Sequence, residues 1–126
     1  QRGPEPFIET MIPRLLGKTT QTTRPDLVEQ TRGMLKRMSA KGIAAVQRGM
    51  AARPDSVETL KTIKVPTLIL VGAEDNLTPT ADAQLMHQHI AGSQVRVIPK
   101  GGHYSPFEQH EAAAHEIRRF LDALPV

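Results

Sequence analysis

Two side chains able to move a proton stand at matching places in this sequence. Asp75 lies just beyond the apolar run "VPTLILVG", and His103 just beyond "VRVIP" and the pair Gly101 and Gly102. In an open parallel sheet the carboxyl ends of the strands are where ligands and reactive groups collect. Neighbouring strands lie about 4.8 Å apart, close enough for a carboxylate and an imidazole on adjoining loops to meet. An aspartate that holds one imidazole nitrogen leaves the other free as a base toward a nucleophile, and the glycines would let the turn present the ring. Blander roles are open to both residues. Asp75 with Asn76 can be turn chemistry ahead of a helix, Glu74 beside it a solvated neighbour, and His103 a turn histidine bonded to backbone.

The elements that would position these residues are legible in the residue pattern. "VPTLILVG" is apolar, β-rich and short, with Pro66 only at its start, so it predicts a strand buried on both faces. Thr78 and Pro79 predict a cap and first turn, leading a helix that carries Ala81, Leu85, Met86 and Ile90. "VRVIP" is a second short strand, so strand, helix and strand form a parallel crossover unit. Ser105, Pro106 and Glu108 have the spacing of a capping box and open a last helix with Ile117, Phe120, Leu121 and Leu124 on one face.

Upstream the pattern is helical. Phe7, Ile8, Met11, Ile12, Leu15 and Leu16 share a face, Pro13 is expected to kink or split their helix, and Gly17 is a plausible stop. "KTTQTT" predicts a polar loop. Pro25 suits a first turn, with Leu27, Val28, Thr31, Met34, Leu35 and Met38 as the buried stripe. A further helix over 40–52 should turn Ile43, Val46 and Met50 inward. Asp55 and Glu58 predict a capping box before a short helix with Val57 and Leu60.

Composition narrows the function classes. The chain of 126 residues is one domain in size, with no charged-then-apolar leader and no apolar run of about 18 residues that could cross a membrane. It has no cysteine, which excludes disulfides, thiolate nucleophiles and cysteine-ligated zinc and is consistent with the cytoplasm. His87 and His89 are two apart on a helix and face different ways; His110 and His115 are no better placed, so no metal site is expected. The net charge of +3 is uneven, with 12 basic and 6 acidic residues in 1–66 against 4 and 7 in 67–126. A basic half can attract nucleic acid or an acidic ligand. The basic residues are spread along helices, however, and the chain has one Tyr, three Phe and no Trp to stack bases. Nucleic-acid binding by a basic helical module is therefore a minor alternative. Arg14, Arg48 and Arg53 could meet a substrate carboxylate or merely solvate helix faces. Met11, Met34, Met38 and Met50 could line an adaptable pocket or be ordinary core.

"VPTLILVGAEDNLTP" followed by "VRVIPKGGHYSPFEQHEAAAHEIRRFL" resembles the C-terminal part of an α/β-hydrolase, of the type that includes 3-oxoadipate enol-lactone hydrolases, cofactor-free haloperoxidases and related esterases. Residues 25–64 resemble the helical cap and the return from it. The resemblance implies an α/β fold with a cap-like region over 1–64 and a C-terminal β-α-β-α portion of the core over 65–126. It also implies that Asp75 matches the triad acid and His103 the triad base, in the family's order of Ser, acid, His. No cofactor is implied. The nucleophile of such an enzyme lies in a G-x-S-x-G elbow, and this sequence contains none; Ser39, Ser56, Ser93 and Ser105 stand in other contexts.

The resemblance thus implies a C-terminal fragment of a serine hydrolase acting on a small ester or lactone, inactive alone. In the family's larger sheet this chain supplies only the last two strands, which leaves the "TLILV" strand with an open apolar edge, a feature proteins rarely tolerate. A second copy of the chain in a homo-oligomer, or a complementing N-terminal hydrolase segment, is expected to complete the sheet. The rival reading is a non-catalytic self-associating remnant or engineered fragment. The opening "QRGPEP" lacks an initiator methionine and suggests processing or a boundary near the cap.

Overall fold

The computed structural model describes residues 5–125. Two parallel strands, β1 (Leu68–Gly72) and β2 (Gln94–Ile98), pair in register from Leu68 beside Gln94 to Gly72 beside Ile98. Helix α6 (Thr80–His89) makes the crossover between them. After β2 come the single turn α7 (Ser105–Glu108) and α8 (His110–Asp122), whose Glu116 accepts from Arg96 Nε of β2 at 3.0 Å. Upstream, the helices are α1 (Glu5–Leu15), α2 (Lys18–Thr23), α3 (Pro25–Lys36), α4 (Ala40–Ala51) and α5 (Val57–Leu60). Among the described residues no helix is long and apolar enough to cross a membrane.

The core lies in two parts. Ile69 and Val71 of β1 pack with Ala83 and Ile90 of the crossover helix, joined by Leu60, Ile63 and Val95. Ile8, Ile12 and Leu15 of α1 and Leu16 just after it pack with Leu35 of α3, and Leu77 and Tyr104 of the two post-strand loops, with Phe107 of α7, close over them. Full burial of side chains such as Ile8 and Leu16 stabilises by about 1.5–3 kcal/mol each. The first helix is therefore packed on the very loops that carry Asp75 and His103.

Four local expectations are corrected. Helix α1 runs continuously through Pro13: Pro13 and Glu9, the residue whose carbonyl loses its partner, are both exposed, so the freed carbonyl is open to solvent. "KTTQTT" is a helix and not a loop, because Thr20 is buried and the carboxylate of Glu74 takes the Thr19 amide at its start. Met34, Met38, Val46 and Met50, predicted inward, are exposed, as are Leu85, Ile117 and Leu121; within this chain their helices meet no surface that would cover those faces. The strand β1 is buried on one face, through Ile69 and Val71, and only half-buried on the other, through Leu68 and Leu70.

Candidate active site

Asp75 sits three residues beyond β1, in a turn its own carboxylate builds. Oδ1 accepts from the amides of Leu77 at 2.8 Å and Thr78 at 2.9 Å, and Oδ2 accepts from the Thr78 hydroxyl at 2.9 Å. The residue is 8% exposed. Burial alone would raise its pKa, but the Thr78 and Leu77 amides, with His103 and the Thr78 hydroxyl, outweigh it and hold the carboxyl below its ordinary value. The turn chemistry and the pairing with histidine are thus one structure: Oδ1 builds the turn and Oδ2 is left facing the ring.

His103 arrives from the loop after β2, and its Nδ1 stands 3.1 Å from Asp75 Oδ2 and 3.1 Å from Thr78 Oγ1. Because the Thr78 hydroxyl donates its hydrogen to Asp75, its lone pairs face the ring, and an Nδ1–H can be shared between the two oxygens. That tautomer leaves Nε2 with a free lone pair. Nε2 has no hydrogen-bond partner among the described residues, and the side chain is about one-third exposed. Together these groups hold an imidazole through Nδ1 and leave the Nε2 lone pair open to accept a proton.

The glycines around His103 serve closeness of approach more than turn flexibility. A Cβ on Gly102 would lie 2.2 Å from the Gly17 nitrogen, and one on Gly72 2.2 Å from the carbonyl oxygens of Gly101 and Gly102. The left-handed backbone of the turn falls instead on Lys100, with φ 59°. Three polar residues, each given another role by its sequence context, have structural parts in the site. Thr78, read as a helix cap, closes the triangle with Asp75 and His103; its place three residues after Asp75 was the available signal. Glu74, read as a solvated neighbour, accepts from the Thr19 hydroxyl at 2.5 Å and the Thr19 amide at 2.7 Å, bonds that hold its carboxyl below the usual range. Glu108, read as half of a capping box, is 3% exposed and turns away from its helix to accept from the amides of Gly17 at 2.7 Å and Gly102 at 2.8 Å.

Other candidate residues lie elsewhere. The imidazole of His87 bonds Ser93 Oγ at 2.8 Å, and that of His89 the Leu85 carbonyl at 2.8 Å. Among the serines, the hydroxyl of Ser39 caps α4 through the Gly42 amide and that of Ser93 faces His87, so neither is available to His103. An open groove of about 570 Å³ follows β1 over residues 67–72 and ends at Asp75, Thr78 and His103, with Arg53, Met86 and Ser105 also on its walls. Arg53 is thus the arginine of the three that shares a cavity with the pair.

A parallel strand–helix–strand unit with a carboxylate and an imidazole meeting at its carboxyl edge is one corner of an α/β fold. Residues 36–125 match the family described as TAP-like protein. The chain is 30% identical over 121 residues to 3-oxoadipate enol-lactonase 2 of Acinetobacter baylyi, covering 96% of this chain and 45% of that one. It is 36% identical over 75 residues to a pimeloyl-[acyl-carrier protein] methyl ester esterase of Neisseria meningitidis, covering 59% of this chain and 29% of the relative. The structure of a thermophilic esterase from Thermogutta terrifontis, solved with malate bound, superposes with a TM-score of 0.90 at 39% identity, over 97% of this chain and 45% of that one. The chain belongs to the TAP-like family of α/β-hydrolases. It spans about 45% of the length of the lactonase and of the esterase.

Proposed function

We propose that this chain supplies the acid–base part of a serine hydrolase that opens an ester or lactone. The observation that carries the reading is the 3.1 Å approach of His103 Nδ1 to Asp75 Oδ2 at the carboxyl ends of adjacent strands. A serine presented to Nε2 from outside this sequence attacks the carbonyl carbon, and Nε2 takes its proton. The tetrahedral intermediate collapses as His103 returns that proton to the leaving oxygen. Water then repeats the cycle on the acyl-enzyme, and Asp75 stabilises the imidazolium in both halves. No metal or organic cofactor enters these steps, and the cysteine-free composition suits the cytoplasm. Without a G-x-S-x-G elbow in this sequence, the chain alone is inactive.

A test is to assay p-nitrophenyl ester and lactone hydrolysis by the chain alone and after co-expression with the N-terminal part of the Thermogutta terrifontis esterase. Turnover that needs both parts and disappears with His103→Ala supports the proposal. Turnover equal in the wild-type chain and in His103→Ala refutes it.

The groove along β1 favours a second reading, that the chain pairs through this edge. Alternation in a parallel ladder turns Leu68 and Leu70 away from β2, so their amides and carbonyls face the groove and invite another strand. A second copy of the chain, or a complementing N-terminal hydrolase segment, would fill it. Light scattering distinguishes the two: twice the chain mass supports self-pairing, and a stable monomer that binds the added segment supports complementation.

A further inference from the structure

Both loops that carry the pair are tied to one short corner of backbone, residues 15–19, where α1 passes into α2. The His103 loop is held on either side of the ring: Gly102 N donates to Glu108 Oε1 at 2.8 Å, and Tyr104 N donates to the Leu15 carbonyl at 3.0 Å. The other oxygen of Glu108 accepts from Gly17 N at 2.7 Å. The Asp75 loop is held one residue earlier, where Glu74 accepts from the hydroxyl and amide of Thr19, while Glu74 N donates to Gly101 O at 2.8 Å and joins the two loops directly. A buried carboxylate that bridges two amides from segments 85 positions apart in the chain, Gly17 and Gly102, sets a distance that neither strand sets.

We infer that Glu108, with Glu74 as its second arm, is a positioning residue that fixes the His103 ring against Asp75 by clamping both loops to the corner at 15–19. This rests on the acid–base reading of the pair. Neither glutamate touches the ring; each acts through backbone beside it. The lever is geometric. Both Glu108 oxygens are acceptors, and an amide in its place offers one acceptor and one donor, so one of the two amides must move away. Release of Gly102 frees the residue just before His103, and release of Gly17 frees the corner to which that residue is tied. The ring then loses its hold on Asp75 Oδ2, and its proton redistributes between Nδ1 and Nε2.

The experiment is imidazole 15N NMR of the full chain at neutral pH, which reads the His103 tautomer directly, with the amide spectrum as a check on folding. Asp75→Asn, Glu108→Gln, Thr19→Val and the exposed control Glu58→Gln are compared with the wild type. The wild type is expected to show the Nδ1–H form. Asp75→Asn should shift the ring to Nε2–H, whereas Glu108→Gln should shift it toward a mixture, Thr19→Val less so, and Glu58→Gln not at all. If Glu108→Gln fails to fold, Thr19→Val decides, since it removes one part-buried hydrogen bond of the same clamp and leaves the Thr19 amide bond in place. A ring that keeps its wild-type resonances in the folded clamp variants, while responding to Asp75→Asn, overturns the clamp and leaves the pair intact. A ring indifferent to Asp75→Asn overturns the acid–base reading and the clamp with it.

Discussion

Asp75→Asn is the change that tests the electrostatics of the site most directly. In the wild type, Oδ1 accepts from two amides and Oδ2 from the Thr78 hydroxyl and His103 Nδ1. Asparagine can keep its oxygen on the two amides and place its NH2 where Oδ2 was, donating to Thr78 Oγ1 and to an unprotonated Nδ1. Every partner is then satisfied, but all four bonds to the carboxylate lose their charge assistance. Hydrogen bonds to charged groups contribute about 1.5–3 kcal/mol against about 0.5–1.5 for neutral ones, and since bonds to one group do not add in full, the loss at pH 7 is about 2–4 kcal/mol. The pH dependence follows from the lowered pKa of Asp75. Its stabilisation is fully present above the unfolded value near ~3.9 and is lost as pH falls through the lower folded value. Urea unfolding of both chains at pH 7 and at successive steps below pH 4 should therefore show a gap that closes on acidification. A gap of constant size across that range, or none at pH 7, would refute the account of what holds the carboxylate in its charged form.

The remaining predictions concern the surroundings. Glu108→Gln should cost about 1–3 kcal/mol in urea melts, since one buried amide, of Gly17 or Gly102, loses its acceptor; an unchanged midpoint would contradict the bridge. Glu74→Gln should flatten the acid limb of wild-type unfolding, because the Thr19 bonds lower the Glu74 pKa and that stabilisation, present above the unfolded value, is lost as pH falls. Gly102→Ala, whose Cβ would meet the Gly17 nitrogen at 2.2 Å, should destabilise by about 1–3 kcal/mol or more, visible as a lower melting temperature. Leu70→Lys on β1 should halve the mass seen by light scattering if copies pair through the groove, and leave it unchanged if they do not.

Much of the site was legible because it rests on short-range pattern. Apolar runs ended by Asp75 and by Gly101, Gly102 and His103 mark strand ends, and a parallel crossover puts those ends side by side whatever the details of packing. The same short range explains the misreadings. Lys18–Thr23 has a loop's composition and becomes a helix because Glu74, 55 positions from Thr19, takes an amide of its first turn. Glu108 has a capping residue's spacing, but the Ser105 amide is taken by the Gly102 carbonyl and the carboxylate accepts from Gly17 and Gly102 instead. Met34, Met38, Val46 and Met50 have the spacing of a buried stripe, yet stand exposed, since periodicity states which residues share a face and not whether a partner covers it.

By itself, then, the amino-acid sequence determined the strands, most of the helices, and the order of acid before histidine at two strand ends. The absence of a G-x-S-x-G elbow was equally plain in it. Only the tertiary structure decided that Asp75 Oδ1 builds the turn while Oδ2 meets the ring, that Thr78 joins them, and that two glutamates pin both loops to one corner. The reason is physical: strand and helix signals come from neighbours a few residues apart, whereas a carboxylate takes whichever donors the fold brings within 3 Å, and Gly17 for Glu108 and Thr19 for Glu74 come from far away in the chain.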